Sequence, residues 1–453
     1  MPKGDKSTGA LGSMAWEGGG MHAVAEASET PAAVPAVEAK AHAKLCIYGV
    51  ALNECKHVEG FMAAAKGADL VAFADAGSYD GTPEALEAAG AVVHRIALRP
   101  FRFDVARNIA LSLLPADCDL CLALDLTDGL QPGWAEALQA EWRRSGGTLT
   151  EARVAYVWDL AGDGASPAAQ VLAPKVHSRF GYTWDGPAHE VLRWMGQASG
   201  SGVRAVPAVV PELVIHNLGQ ADCVGVCRMP YLHLLKLGAD ERPEDPRRAY
   251  LFGRELRRMP WLEATITELN RYLGLPAATN PEQRASALVY ISECQLALER
   301  PHEARATALH ALSEHSLAQS GKEPGGSGSE AAAGAGEYLQ PWEPWLALAR
   351  ASHWLEDWPA AYWGATRAMA AANQSAPQLG GRGSLGAEPH DVAALSAFYM
   401  GLHQVAVAHG EAALALSPHD ERLQSNLLFY RQAATGAGDV GSAQPDEASL
   451  LRS

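Results

Sequence analysis

The residue types best suited to chemistry lie in one short polar segment, Asp75-Ala-Gly77-Ser78-Tyr-Asp80-Gly81-Thr82. It follows an apolar stretch, residues 70–74, which we predict to be a buried strand. A carboxylate at the end of a strand, here that of Asp75, can accept hydrogen bonds from a nucleobase or a ribose. Gly77 lets the backbone approach a ligand closely, and Ser78 offers both a donor and an acceptor. The pattern favours a ligand-binding turn, although Asp, Gly and Ser are also common in turns without a function.

Three further polar clusters fall at the ends of predicted strands or at the start of a predicted helix. They are Ala51-Leu-Asn53-Glu54, Arg102-Phe-Asp104-Val-Ala-Arg107-Asn108 and Asp125-Leu-Thr127-Asp128. The first and third follow strands, so we expect their polar groups beside Asp75. The second opens a helix, where free backbone N–H groups and Arg107 can face a phosphate, although a surface ion pair is the alternative for Arg107. Asp125 and Asp128 can hold a divalent ion that neutralises a leaving diphosphate. Four polar clusters at successive strand ends indicate a binding site.

The elements that must position these clusters alternate between strand and helix. We predict strands at residues 45–51, 70–74, 91–98 and 120–124. Three helices are predicted between these strands. The first has an apolar face of Val58, Phe61, Met62 and Ala65, and the second begins with an N-cap at Thr82 followed by Pro83. The third is capped by Asp104 and has an apolar stripe of Val105, Ile109 and Leu113. This alternation predicts an α/β domain with a mostly parallel sheet.

The pattern changes between residues 151 and 217. We predict strands at residues 154–158, 171–179 and 203–215, with a turn at Asp185-Gly186-Pro187. These strands are not separated by helices. We therefore predict a mixed extension of the same domain.

Beyond about residue 229 the sequence is helical and repetitive. Helices are predicted at residues 250–257 and 261–273. Three later segments align: Glu299-Arg-Pro-His-Glu-Ala304 with Ala311-Leu312, Glu356-Asp-Trp-Pro-Ala-Ala361 with Ala368-Met369, and Gln404-Val-Ala-Val-Ala408 with Ala415-Leu416. Without low-complexity insertions at residues 319–338 and 374–389, their period is roughly 31 to 37 residues. The period predicts helix-turn-helix repeats of the tetratricopeptide type, with an unrelated helical bundle as the alternative.

In this order the motifs of the first half resemble those of family 2 glycosyltransferases of the GT-A fold. The resemblance covers about residues 44 to 235, and it extends to a subgroup that is fused to tetratricopeptide repeats. It implies that Asp75 contacts uridine or another base of a nucleoside diphosphate sugar, with UDP as the expected nucleotide. It also implies that the acids of the fourth strand end hold Mg²⁺ or Mn²⁺ on the diphosphate. The nucleotide-sugar-binding residues would be Ala51, Asn53, Glu54, Asp75, Gly77, Ser78, Asp80 and Arg107.

The fourth strand end departs from the family pattern. The family has Asp-x-Asp followed by an acid, whereas this chain has Asp125-Leu-Thr127-Asp128. A threonine hydroxyl is a weak, neutral ligand that supplies no charge to attract a cation. Asp125 and Asp128 would then hold the metal, and His216 resembles a position where related enzymes add an imidazole ligand. Simple hydrogen bonding of His216 is the alternative.

A second motif, Tyr182-Thr-Trp184-Asp185-Gly186-Pro-Ala-His189-Glu190, resembles a segment near the acceptor in that family. Glu190 would act as the general base on an acceptor hydroxyl, and His189 would orient it or contact phosphate. Asp185 is a competing candidate for the base. The alternative is a buried histidine beside a solvated glutamate.

The 453-residue chain carries a formal charge of −16, which argues against a nucleic-acid-binding surface. No run of about twenty residues is apolar and uncharged, so we expect no transmembrane segment. Seven thinly spread cysteines suggest a reducing compartment, and we expect the protein in the cytoplasm. Cys118 and Cys121 have zinc-knuckle spacing, but without a clean second pair we expect them to be structural.

These inferences give a domain plan and two functional hypotheses. We expect a disordered segment at residues 1–43, a GT-A-like domain at 44–235, helical repeats at 236–433 and a disordered tail at 434–453. The first hypothesis is an inverting, metal-dependent glycosyltransferase whose repeats help to bind a protein or peptide acceptor or partner. The second is a helical-repeat adaptor with a degenerate glycosyltransferase domain, which Thr127 favours.

Overall fold

The computed structural model describes residues 40–158, 169–196, 205–217, 228–320, 339–374 and 385–435. The expected disorder of residues 1–39 and of the tail beyond residue 435 lies outside the described residues. Residues 40–43, which we expected to be disordered, pack against the first domain. Ala43 is buried, and its N–H donates to Gln139 Oε1 over 2.9 Å.

The first domain is built on an eight-stranded sheet with the order β3-β2-β1-β4-β7-β6-β10-β5, beside a separate hairpin of β8 and β9. The strands are β1 (Leu45–Ala51), β2 (Leu70–Asp75), β3 (Val92–Arg95), β4 (Leu120–Ala123), β5 (Asp128–Leu130), β6 (Glu151–Trp158), β7 (Ala169–Ser178), β8 (Tyr182–Asp185), β9 (Val191–Trp194) and β10 (Pro207–Asn217). Strands β1 to β4 pair in parallel, and β7 and β5 add antiparallel pairings. The predicted parallel sheet with a mixed extension is thus confirmed.

Apolar residues cover both faces of the central strands. Leu45 and Ile47 of β1 face one hydrophobic core, and Cys46 and Tyr48 face another. Because side chains alternate along a strand, burial of both faces requires an unbroken apolar run, which is what β1 contains. Gly49 has no space for a side chain, since a Cβ would lie 2.1 Å from the carbonyl oxygen of Leu124.

The helices of the first domain are α1 (Cys55–Ala64), α2 (Thr82–Ala88), α3 (Phe103–Ser112) and α4 (Trp134–Arg144). The predicted apolar stripe of α3 is wrong at Val105, whereas Leu113 is partly buried against a hydrophobic core. The buried residues of α3 include Ala106, Ala110 and Leu111, whereas Val105 is exposed. Thr82 is the first residue of α2 rather than its N-cap, and the preceding Gly81 has a φ of 89°.

The second half of the chain is all helical among the residues described there. Its helices are α5 (Arg228–Glu241), α6 (Pro246–Leu256), α7 (Leu262–Leu273), α8 (Pro281–Ala297), α9 (Pro301–Ser320), α10 (Glu343–Trp354), α11 (Trp358–Gln374), α12 (Glu388–Tyr399), α13 (His403–Leu416) and α14 (Glu421–Thr435). The predicted domain boundary at residue 235 falls inside α5. None of these described helices is long and apolar enough to cross a membrane.

Helices α8 to α13 form three consecutive pairs, as the repeat prediction requires, and each pair turns at a residue with positive φ. These residues are Glu299, Glu356 and Gly401. At five, nine and twelve residues beyond each turn the second helix has a small residue: Ala304, Ala308 and Ala311, then Ala361, Ala365 and Ala368, then Ala406, Gly410 and Ala413. All nine are buried.

The sequence alignment of the third repeat is therefore wrong by two residues. It placed Ala408 and Ala415 at the contact positions, but both are exposed. Ala406 and Ala413 occupy those positions and are fully buried. Both insertions fall between one pair and the next, where residues 321–338 and 375–384 lie outside the described part of the chain.

Candidate functional site

The carboxyl ends of β1 and β2 bring the first predicted cluster beside Asp75. This carboxylate is fully buried, and its Oδ1 accepts the backbone N–H groups of Gly77 and Ser78, each over 3.0 Å. Its Oδ2 is also buried but has no hydrogen-bond partner among the described residues. Gly77 has a φ of 106°, and a Cβ there would meet no atom within 4 Å. Asp75 thus has one oxygen fixed by the turn and one available to a ligand's donor.

Most of the other polar groups predicted at this edge hold the two loops together. The N–H of Asn53 donates to Ser78 Oγ over 2.9 Å, and Asn53 Oδ1 accepts the N–H of Tyr79 over 3.0 Å. Asp80 Oδ2 accepts the N–H of Cys55 at the start of α1. The carbonyl of Ala51 accepts the N–H of residue 76 over 2.9 Å. The side chains of Asn53, Ser78 and Asp80 therefore shape the cradle around Asp75.

Glu54 differs from these residues because its carboxyl faces other acids. Its backbone N–H donates to Thr82 Oγ1 over 2.8 Å, which fixes the residue at the strand end. Burial, followed by repulsion from Asp125, raises the pKa of Glu54 to about 7. The first and fourth strand ends are thus close enough for their charges to interact.

Arg107 lies between two of the predicted functional acids. Its Nη2 donates to Asp125 Oδ1 over 3.0 Å, and its Nε donates to Glu190 Oε1. The guanidinium lies 5.2 Å from the ring centroid of Trp184. Its Nη1 is buried and has no hydrogen-bond partner within the described ranges. Arg107 therefore joins the strand end at Asp125 to the acceptor-side motif and keeps one donor free.

The segment from Phe103 to Asn108, at the start of α3, positions the predicted acceptor-side segment. Asp104 Oδ2 accepts the N–H of Gly186 over 3.0 Å. The amide of Asn108 bonds to both the N–H and the carbonyl of Trp184, each over 2.9 Å. The indole N–H of Trp184 donates to Tyr48 Oη over 2.7 Å. Sequence reasoning missed Tyr48, whose hydroxyl lies in the middle of an otherwise apolar strand.

Asp128 is enclosed by donors. Its Oδ1 accepts Tyr156 Oη over 2.7 Å and Asn217 Nδ2 over 3.2 Å. Its Oδ2 accepts the N–H of Asp125 over 3.1 Å and Lys175 Nζ over 3.2 Å. The Lys175 ammonium also lies 4.4 Å from the centre of the Tyr156 ring. Sequence reasoning missed Lys175, although a single lysine inside an apolar strand is a signal for an inward-facing charge.

The three predicted metal ligands do not fit a divalent ion in this arrangement. Both oxygens of Asp128 are occupied by four donors, and Asp125 is paired with Arg107. His216 Nε2 bonds to Gln131 Nε2 over 3.0 Å. Across the described ranges, no three His, Cys, Asp or Glu side chains form a group that could hold a metal. The cations that neutralise these acids are the chain's own Arg107 and Lys175.

On the acceptor side, Asp185 belongs to an arginine cluster. Its Oδ1 contacts Arg248 over 2.9 Å and Arg242 over 3.1 Å, and its Oδ2 accepts Arg193 Nε over 2.6 Å. Both carboxylate oxygens of Asp185 are thus engaged by arginines. Arg248 lies on α6, so this contact joins the helical half to the site.

His189 adjoins this cluster, with a φ of 50° and its ring packed edge-on against Tyr231. Burial, followed by the positive charges of Arg254, Arg247 and Arg258, lowers the pKa of His189 to about 3. The imidazole is therefore neutral at physiological pH. It can orient a neighbour by hydrogen bonding but contributes no positive charge.

No protein-family model matches the chain, and no curated protein matches it. Similar solved structures include YrrB, a tetratricopeptide-repeat protein with an unusual peptide-binding site (15% identity, 46% of this chain, 87% of that chain, TM-score 0.34). They also include PilW, a type IV pilus biogenesis factor (16% identity, 46% of this chain, 78% of that chain, TM-score 0.33).

A third similar structure is glucosyl-3-phosphoglycerate synthase from Mycobacterium tuberculosis, in complex with Mn²⁺, UDP and glucosyl-3-phosphoglycerate. The identity is 22%, and the match covers 26% of this chain and 46% of that chain, with a TM-score of 0.22. All three TM-scores are below 0.5, so function has to be argued from the site itself.

Proposed function

We propose that the chain binds a nucleoside diphosphate sugar at the carboxyl ends of β1 and β2 and transfers the sugar, with inversion, to an acceptor hydroxyl. The observation that carries this proposal is the buried Oδ2 of Asp75, for which the described ranges supply no hydrogen-bond partner. A buried polar atom without a partner is costly, so its presence at a strand end favours a ligand that supplies the donor.

The chemistry of Asp75 suits a nucleoside. A carboxylate only accepts hydrogen bonds, and the imide N–H of uracil and the hydroxyls of ribose are donors of that kind. Gly77 leaves open space above the turn, which suits a flat base. UDP is therefore the nucleotide we assign, as the resemblance to family 2 also suggests.

In the transfer step, the acceptor oxygen attacks the anomeric carbon while the bond from that carbon to the diphosphate breaks. The acceptor proton passes to Glu190, and the nucleoside diphosphate leaves with the bonding electrons. Arg107 has a buried Nη1 without a partner and is aligned by Asp125 and Glu190. It would donate to the departing phosphate oxygen and stabilise its growing charge.

The resemblance implies Mg²⁺ or Mn²⁺ at Asp125, Asp128 and His216, but the hydrogen bonds of these residues do not fit that role. We therefore include no metal in the transfer step. A dependence of UDP binding on Mn²⁺ would require Asp128 to exchange several of its four donors for the ion.

We also propose that the repeats bind a protein or peptide, either as the acceptor or as a partner. Stacked helix pairs present an extended surface suited to a peptide. The contact of Arg248 with Asp185 supports a role close to the acceptor segment, because it ties α6 directly to that segment.

A specific observation favours a second function, that of an adaptor with an inactive transferase domain. Thr127 replaces an acid, and Asp128 is fully engaged inside the protein. In that case nucleotide binding can persist, but transfer and donor hydrolysis would both be absent.

Calorimetric titration with UDP tests the binding claim. Asp75→Asn keeps the shape of the side chain but replaces one acceptor with a donor, so we expect affinity to fall by about tenfold to a hundredfold. Asp117→Asn, at an exposed carboxylate paired with Lys44, should leave affinity unchanged. Equal UDP affinity in wild type and Asp75→Asn would refute the nucleoside assignment.

The enzymatic claim needs a separate assay for donor turnover. Incubation with UDP-sugars, with Mn²⁺ or with EDTA, should release UDP and free sugar from the wild type. Glu190→Gln should bind UDP normally but lose at least a hundredfold in turnover, on the order expected for loss of a general base. UDP binding without any turnover would favour the adaptor.

A further inference from the structure

Arg247 is a half-buried arginine that forms no ion pair with an acid among the described residues. It lies at the start of α6, where its Nη1 donates to the carbonyl oxygen of His189 over 2.9 Å. No carboxylate oxygen lies within 4.0 Å of its guanidinium among the described residues. Burial lowers the pKa of Arg247; the charge of Asp245 opposes this shift, and the charges of Arg254 and Arg193 add to it.

The acids around Arg247 are already committed to other arginines. Asp245 uses Oδ1 to accept the N–H groups at the start of α6, and its Oδ2 lies within 3.7 Å of both Arg193 and Arg248. Asp185 contacts three arginines, and Glu190 pairs with Arg107.

Arg247 is one of three arginines that lie close enough to His189 to influence its imidazole. Arg254, Arg247 and Arg258 all act against protonation of this imidazole. Charges withdrawn from water in proteins are normally paired, so a half-buried guanidinium whose neighbouring acids are engaged by other arginines points to an anion that belongs there.

We propose that Arg247, beside the His189–Glu190 turn, forms a subsite for an oxyanion, a phosphate or carboxylate group, carried by the acceptor. The guanidinium fork suits either group. The carbonyl that Arg247 binds belongs to the residue next to Glu190, so an anion held there places the rest of the acceptor near the proposed base.

The helical half supplies this subsite, because Arg247 is on α6. The donor phosphates have a separate cation, Arg107, at the sheet edge. The anion subsite itself is independent of transferase activity. Its assignment to the acceptor rests on the proposed function.

The test is thermal unfolding of the full chain in sodium phosphate, sodium acetate or sodium chloride at equal ionic strength. Phosphate or acetate should raise the Tm saturably, by about 3 °C at a hundredfold excess over Kd, and chloride should not. Arg247→Gln keeps a donor for the His189 carbonyl but removes the charge. It should lose the anion response while unfolding in chloride at or above the wild-type Tm.

Two controls make the result specific. Arg247→Lys should keep part of the anion response, and Arg144→Gln, at an exposed arginine of α4, should keep all of it. A response that survives in Arg247→Gln, or no response in the wild type, would overturn the subsite.

Titration with UDP separates donor from acceptor. Arg247→Gln should bind UDP as the wild type does, and a tenfold loss of UDP affinity would instead assign Arg247 to the donor diphosphate. An anion response in a protein that does not bind UDP contradicts the proposed function and the acceptor assignment but leaves the subsite. UDP binding without an anion response contradicts only the subsite.

Discussion

Asp75 and Asp128 both stand at the carboxyl edge of the same sheet, and both are buried, but they are bonded to different kinds of group. Asp75 has two backbone N–H donors on one oxygen and, within the described part of the chain, none on the other. Asp128 has two donors on each oxygen, and one of them is the ammonium of Lys175. One carboxylate is incomplete without a ligand, whereas the other is complete within the protein.

This difference separates ligand recognition from structural support. An unsatisfied buried acceptor is tolerated where a ligand completes it, because binding then recovers the lost hydrogen bond. A carboxylate surrounded by four donors has no such capacity, and displacing them for an incoming ion would leave Lys175 buried without its acid. The part of this sheet edge around Asp75 therefore has the character of a binding site. The part around Asp128 has the character of a structural network.

The largest expected effect is on the stability of the network. Asp128→Ala removes the acid from Lys175, Tyr156 and Asn217, and we expect it to lower the free energy of unfolding by about 3 to 5 kcal/mol. Urea denaturation measures this loss, with Asp117→Ala as an exposed control that should change stability by less than about 0.5 kcal/mol. A loss below about 1 kcal/mol for Asp128→Ala would remove the distinction between the two carboxylates.

Asp75→Asn should behave in the opposite way. The amide oxygen keeps the hydrogen bonds from Gly77 and Ser78, and the buried charge disappears. We therefore expect the free energy of unfolding to stay constant or to rise by about 1 kcal/mol, even as UDP affinity falls. Urea denaturation without nucleotide measures it. A fall of about 2 kcal/mol or more would mean that the charge of Asp75 stabilises the fold itself.

The sheet could be predicted from the sequence because both faces of its central strands are buried. The run of residues 45–51 is apolar apart from the hydroxyl of Tyr48, and its predicted bounds agree with those of β1. Helix α3 could not be predicted as well, because it packs through Ala106 and Ala110 while the larger Val105 faces outward. The prediction assumed that the larger apolar side chains are the buried ones, but close packing against this helix favours small residues.

The third repeat was misaligned for a different reason. The lengths of the two insertions are independent of the repeat, so subtracting them cannot fix the register. The turns do define the register, because Glu299, Glu356 and Gly401 share a positive φ and precede the buried small residues by equal numbers of residues. Only Gly401 signals such a turn in the sequence, because glutamate rarely adopts this conformation.

The candidate site shows the same limit. The turn from Asp75 to Thr82 is local, so its composition was enough to predict a cradle. The pairing of Arg107 with Glu190 joins residues 83 positions apart, and no local pattern reports it. For the same reason, the sequence alone could not identify Asp125 and Glu190 as the two acidic neighbours of Arg107.

Glu54 connects the two edges and gives the smallest expected effect. Its pKa is raised from an ordinary value of 4.5 to about 7 by burial and then by Asp125, so the folded protein holds a proton there that the unfolded chain releases. The resulting destabilisation is absent below about pH 4.5, grows up to about pH 7 and is constant above it. Between about pH 4.5 and about pH 7, the free energy of unfolding of the wild type should fall by about 1 kcal/mol relative to that of Glu54→Gln. This value allows for solvent screening of the carboxyl. Urea denaturation at several pH values measures the difference, with Glu59→Gln on the exposed side of α1 as the control. A difference between wild type and Glu54→Gln that does not vary with pH would show that the pKa of Glu54 is not raised in the folded protein.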